Sequence, residues 1–239
     1  SPTFDNQCML RIIYNCKKYP HLWSNIQSLF ISGTRLCFGG DSINGVEDLL
    51  RSLGLGNLHT LTVTNMGIHA GFGEFLGSLL DDRRKKTRPV ALTRIYIEDE
   101  PYFGDRGMIG LCKKLQLNSS IRYLSVRNCG LTHKCVQDVA RYVSLSSHLE
   151  VLSINDNYFS LADCKQLLHS VANKGMKGNF RSLYCLGTNP VLNPIELKAL
   201  LKEGMRLSVN VVSGDIDVNG VGWRSELELE KQFRDSGVD

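Results

Sequence analysis

The chain has 239 residues, 42% of them hydrophobic and 22% charged, with a formal net charge of +4. This composition excludes a disordered chain, and the length is enough to bury a core without disulfide or metal staples. The charge alone is too small to argue for nucleic acid, no run of 18 apolar residues could span a bilayer, and Ser-Pro-Thr-Phe-Asp at the start lacks the features of a secretory signal.

In chain order, residues 5–18 carry Met9, Ile12, Ile13 and Cys16 at helical spacing, which predicts a helix. A pattern L-x-x-L-x-L, with an apolar residue five positions on, then begins at Ile26 with Leu29, Ile31 and Leu36. It returns as Leu58, Leu61, Val63, Ile68, and as Leu92, Ile95, Ile97, Tyr102. Two further copies are Ile121, Leu124, Val126, Leu131 and Leu149, Leu152, Ile154, Phe159. Phe180, Leu183 and Cys185 open a sixth, and Leu207, Val209 and Val211 mark a degenerate seventh strand. Successive starts lie 32, 34, 29, 28 and 31 residues apart. Between them, Val46/Leu49/Leu50/Leu53, Phe72/Phe75/Leu76/Leu79, Val136/Val139/Ala140/Val143 and Leu161/Cys164/Leu168/Val171 each mark one apolar helix face. Thr132, Ser160 and Asn193 stand where helix N-caps belong.

A short strand followed by a full helix cannot bury its apolar side alone, but stacked copies can. This pattern resembles the leucine-rich repeats of the ribonuclease-inhibitor type, over roughly residues 20–212. The resemblance implies an α/β solenoid of six to seven repeats, a horseshoe arc with a parallel concave sheet and outer helices. A single domain 1–239 is expected, with a helical cap or partial repeat over 1–25, repeats over 26–212, and a closing loop and helix over 213–239. The family places Asn or Cys at the ninth position of the repeat, where the side chain satisfies turn backbone. Here that position holds Thr34, Met66, Glu100, Cys129, Asn157 and Thr188, so the second and third turns, at Met66 and Glu100, are expected to be distorted.

The strand residues between the leucines then face out of the core. They are Ser28, Phe30 and Ser32; Thr60, Thr62 and Thr64; Arg94, Tyr96, Glu98 and Asp99; Tyr123, Ser125, Arg127 and Asn128; Val151, Ser153, Asn155 and Asp156; and Ser182, Tyr184 and Leu186. Tyr and Arg are enriched at binding hot spots. The expected partner-binding residues are Arg94, Tyr96, Glu98, Tyr123, Arg127, Asn155, Asp156 and Tyr184.

Three other features invite function. Arg83, Arg84, Lys85, Lys86 and Arg88 form a basic run, without the interleaved aromatics of a nucleic-acid site. Asp215, Asp217, Asn219, Gly220 and Glu226 match the calcium-loop pattern D-x-D-x-N-G-x5-E, but the preceding segment reads as a strand where that motif needs a helix. No C-x-x-C, paired His, G-x-S-x-G or phosphate-binding glycine motif occurs, so no metal, cofactor or catalytic residue is expected. The eight cysteines are read as reduced, and the sequon Asn118-Ser119-Ser120 is discounted.

The resemblance implies a non-catalytic scaffold or complex subunit that docks protein partners on its concave face, monomeric on its own or part of a larger complex. The reduced cysteines predict an intracellular protein, with the cytoplasm the first choice of compartment, and no membrane or nucleic-acid role is expected. The alternatives are a calcium-responsive adaptor using 215–226, a nucleic-acid-associated protein, and a GTPase regulator. The last resembles longer arrays with an acidic tail, whereas this chain ends Ser-Gly-Val-Asp.

Overall fold

The computed structural model describes residues 6–23, 25–33, 42–55, 57–80, 91–116, 118–172, 179–186, 194–207 and 209–213. Thr34, Thr188, the cap at Asn193, the basic run and the calcium-like loop lie outside them.

Strand and helix alternate along the chain. They run α1 (Asn6–Lys18), α2 (Pro20–Trp23), β1 (Ser28–Ser32), α3 (Ser42–Leu53), β2 (Thr60–Thr64), α4 (Gly71–Leu79), β3 (Arg94–Glu98), α5 (Gly104–Leu115) and β4 (Tyr123–Arg127). The second half continues with α6 (Val136–Leu145), β5 (Val151–Ser153), α7 (Leu161–Ala172), β6 (Ser182–Leu186), α8 (Pro194–Arg206) and β7 (Asn210–Ser213). The strands form one parallel sheet in sequence order, β1 to β7. The helices pack neighbour to neighbour, α1 on α3, α4 on α5, α5 on α6, α6 on α7 and α7 on α8. One face of the sheet is therefore covered by helices and the other is open.

The core lies between sheet and helices. Leu61, Val63, Ile95, Ile97, Leu124, Val126 and Leu152 come from the strands, Ile154 from the residue after β5, and Phe72, Leu76, Met108, Leu111, Val139, Val143 and Leu168 from the helices. These are the positions that the period-2 and period-3.6 patterns select. Thr132 caps the turn before α6 by accepting from Lys134 N–H. Ser160 and Asp163 cap α7 reciprocally, Ser160 N–H donating to the carboxylate and Ser160 Oγ accepting from Asp163 N–H. Asn118 is buried and donates to the Leu80 carbonyl at 3.0 Å, which leaves its amide no access to a glycan.

The turns that follow β2, β3, β4 and β5 repeat one conformation. Asn65, Asp99, Asn128 and Asp156 occupy equivalent positions with φ of 52°, 56°, 49° and 58°. This left-handed region tolerates Asn and Asp better than other side chains. The expected distortion of the second and third turns is therefore not seen. Asn157 does what the family position does: its Oδ1 accepts from Cys129 and Leu131 N–H, and its Nδ2 donates to the Val126, Ile154 and Asn155 carbonyls. Cys129 Sγ bonds the Ile97 and Arg127 carbonyls, the corresponding atoms one repeat earlier. Glu100 supplies the acceptor half of the role, its two carboxyl oxygens taking Met66 and Ile68 N–H at 2.5 and 2.9 Å. One correction concerns the third repeat. Tyr102, expected in the core, is 58% exposed and stacks beside His69, while Phe103 fills the core position.

The glycines of α4 and α5 set the distance between those helices. A methyl group at Gly73 would overlap the Gly107 carbonyl, and one at Gly77 would meet Lys114 Cβ. Close approach of α4 to α5 is the physical reason for glycine at position 73.

Candidate partner-binding surface

The open face is organised by strand register. Arg94 pairs with Tyr123, Tyr123 with Val151 and Val151 with Ser182, while Glu98 pairs with Arg127. In-phase repeats predict two columns, Arg94/Tyr123/Val151 and Glu98/Arg127/Asn155; the first holds through β5 and the second as far as β4, because β5 ends at Ser153 and Asn155 lies outside the paired register.

The central column is less open than the sequence reading supposed. Phe30, Thr62, Tyr96, Ser125, Ser153 and Tyr184 stand side by side across six strands. Tyr96 is 5% exposed and Tyr184 8%, and Asn155 beyond the end of β5 has no exposure. The expectation that these three present free surface is corrected. Tyr96 sits between Thr62 and Ser125, and Tyr184 beside Ser153; all three small neighbours are buried. Each ring has a paired strand on both sides, Tyr184 having Val212 as its second neighbour, whereas Phe30 on the edge strand β1 has Thr62 on one side and is 64% exposed. Burial raises the Tyr96 hydroxyl above its ordinary pKa, with Arg94 opposing and Glu98 and Tyr123 adding to the rise.

The accessible groups lie at the two ends of the strands. At the C-terminal ends, Arg127 Nε donates to Asp156 Oδ2 at 2.6 Å, and Asn128 Nδ2 to Asp99 Oδ1 at 2.8 Å. Glu98, next to Arg127 in register, accepts from Ser125 Oγ at 3.4 Å. Asp99, Asn128 and Asp156 are thus turn residues at the rim and not strand-face residues. At the N-terminal ends, the Arg94 guanidinium lies 5.1 Å from the centre of the Tyr123 ring. Glu150 accepts from Arg122 Nη1 at 2.6 Å and from the Tyr123 hydroxyl at 3.4 Å. Arg181, the residue before β6, stands exposed and makes no ion pair among the described residues.

Of the eight expected residues, the structure leaves Arg94 exposed and Glu98, Tyr123, Arg127 and Asp156 half-buried. It adds Arg122, Glu150 and Arg181. Each precedes its strand by one residue, at the first variable position of L-x-x-L. That position carried the signal, because a side chain at the start of a short strand reaches the rim whichever way the pleat points.

Among the described residues no group of three His, Cys, Asp or Glu side chains could hold a metal ion, and no helix is long and apolar enough to cross a membrane. Among the described residues, Cys16, Cys112, Cys129, Cys135, Cys164 and Cys185 are free and buried.

Comparison with known proteins gives partial matches. A stretch of 98 residues, 39% of this chain, is 32% identical to NACHT, LRR and PYD domains-containing protein 5 of Mus musculus. The human protein of the same name is 30% identical over 110 residues, 46% of this chain. The chain is similar to leucine-rich-repeat proteins. It spans only 8% and 9% of the length of these two relatives. Among solved structures, the tropomodulin C-terminal domain of Caenorhabditis elegans superimposes with a TM-score of 0.49 at 14% identity, over 69% of this chain and 95% of that one. Leiomodin-1 actin-binding site 2 gives a TM-score of 0.47 at 10% identity, over 73% and 91%. No family model matches the chain.

Proposed function

We propose that this chain is a non-catalytic protein-binding module of the leucine-rich-repeat type, a single solenoid domain that docks a protein partner across the open face of its sheet. The contact residues are Arg94, Glu98, Tyr123, Arg127 and Asp156, with Arg122 beside them. The observation that carries this reading is the in-register pair of Arg94 and Tyr123. Its guanidinium and ring stack on a seven-stranded sheet that holds both in place. Tyr and Arg on a rigid support lose little freedom on docking, which lowers the cost of association. An intracellular compartment is part of the proposal, supported by six buried free thiols, which an oxidising environment would put at risk.

The test compares partners captured by wild type and by an Arg94→Ala/Tyr123→Ala/Arg127→Ala variant. The expected result is specific partners lost by the variant while its melting temperature stays close to wild type. Partners that bind both proteins equally would place the docking surface elsewhere and overturn the reading.

A further inference from the structure

The open face carries opposite charge at its two ends, and this says what a partner must bring. The residue before each strand forms a continuous row. Arg122 and Tyr123 N–H both donate to the Thr93 carbonyl, Glu150 and Val151 N–H to that of Arg122, and Arg181 and Ser182 N–H to that of Glu150. The same bifurcated pattern therefore delivers Arg122 and Arg181 to one edge, alongside Arg94. Glu150 is the acidic residue among them, bonded to both Arg122 and Tyr123. Arg94 and Arg181 lie three strands apart, about 14 Å. The far ends of the same strands carry Glu98, Asp99 and Asp156 around Arg127.

We infer that the partner presents an acidic peptide segment, laid across the strand starts so that its carboxylates meet Arg94, Arg122 and Arg181 around the Tyr123 ring. The inference rests on the protein-docking reading above and adds the partner's chemistry to it. Arginine suits this role because its planar fork binds a carboxylate through two parallel hydrogen bonds. Arg94 and Arg122 stand one strand apart and Arg181 two strands further on, past Glu150, which matches an extended chain with acidic side chains at intervals. A peptide fits better than a nucleic acid. β3 and β4 are five residues long, about 16 Å, so a polyphosphate chain over the arginines would also feel Glu98, Asp99 and Asp156. A peptide can place acidic groups at one end of the face and neutral or basic groups at the other, and such complementarity suppresses wrong partners.

The test pans a displayed random-peptide library on the chain. Binding of the selected peptides is then measured to wild type, to Arg94→Glu/Arg181→Glu, and to Tyr123→Ala. A milder Arg94→Gln/Arg181→Gln variant covers the case in which charge reversal disturbs folding, and melting curves are recorded for all. The expected result is peptides rich in Asp and Glu that weaken about tenfold on charge reversal, weaken also in Tyr123→Ala, and lose affinity as salt rises. Peptides without acidic enrichment, lost in Tyr123→Ala but indifferent to the arginines, would overturn this inference and leave the docking face standing. Peptides indifferent to every variant would overturn both. A thymidine oligonucleotide that binds through the arginines where acidic peptides do not would replace the peptide with a nucleic acid.

Discussion

The carboxyl of Glu100 accepts the backbone N–H of Ile68 at 2.9 Å, one repeat back along the chain, from a position with no solvent exposure. Asn157 does the same for Leu131 with an uncharged amide. The third repeat thus meets a backbone demand with an ionisable group. Burial pushes the Glu100 carboxyl up to about 7, against the lowering effect of the N–H groups of Met66, Gly67 and Ile68.

Glu100 therefore makes stability depend on pH. Its folded pKa lies above the unfolded value, so its contribution is complete below about pH 4.5 and is lost as pH rises to about 7. The loss across that window is on the order of 3 kcal/mol. Glu100→Gln keeps one acceptor and carries no charge. The difference in urea-unfolding free energy, variant minus wild type, is expected to move in favour of the variant between pH 5 and pH 8. A difference that stays constant with pH would mean that Glu100 does not titrate in this range.

Asn157→Ala removes the acceptor of two buried N–H groups and a donor shared by three carbonyls. The expected cost is about 3 kcal/mol, since each orphaned buried group costs about 1–3 kcal/mol. Equilibrium denaturation measures it, and a loss below about 1 kcal/mol would show that water replaces the amide.

Two glycines of α4 separate packing from propensity. Gly73→Ala drives a methyl into the Gly107 carbonyl and is expected to destabilise by about 2 kcal/mol or more. Gly71→Ala meets nothing within 4 Å and is expected to be neutral or to stabilise by up to about 1 kcal/mol. Thermal melts of the two variants should move in opposite directions or differ by several degrees.

Tyr96→Ala is expected to lower stability by about 3 kcal/mol, because the ring is buried over Thr62 and Ser125. Arg94→Ala, two residues away and exposed, should change the melting temperature little. Equal melting temperatures for the two variants would return Tyr96 to the free surface.

The buried thiols should resist modification. Burial raises Cys112, Cys129 and Cys135 far above the ordinary thiol range, and Cys185 well above it through its neighbour Cys164 as well as burial. The thiolate is the reactive form. A disulfide reagent such as Ellman's should label Cys112, Cys129, Cys135, Cys164 and Cys185 only at the rate of unfolding, and peptide mapping of the native protein should find them unlabelled. Fast labelling at any of these positions would show that its burial is not maintained.

The sequence by itself determined the stack. In-phase leucines every 28 to 34 residues fix which side chains enter the core, because a parallel strand and an amphipathic helix have different and recognisable periods. It also placed Arg94 beside Tyr123 and Glu98 beside Arg127, since strands in a constant-register stack align residue by residue. The tertiary structure decided the rest. Whether a ring on the open face is exposed depends on the strands beside it, and so Tyr96 and Tyr184 are buried between paired strands while Phe30 at the edge is exposed. Glu100 looked like a defect because the pattern names Asn or Cys, yet a carboxyl of the right reach meets the same N–H groups. The packing role of Gly73 is not visible in the sequence, because nothing local reveals a helix one repeat away. The spacing of residues along one chain reports which side chains share a face. The contacts between faces depend on volumes and hydrogen-bonding groups brought together from about 30 residues apart, and these are set only when the repeats stack.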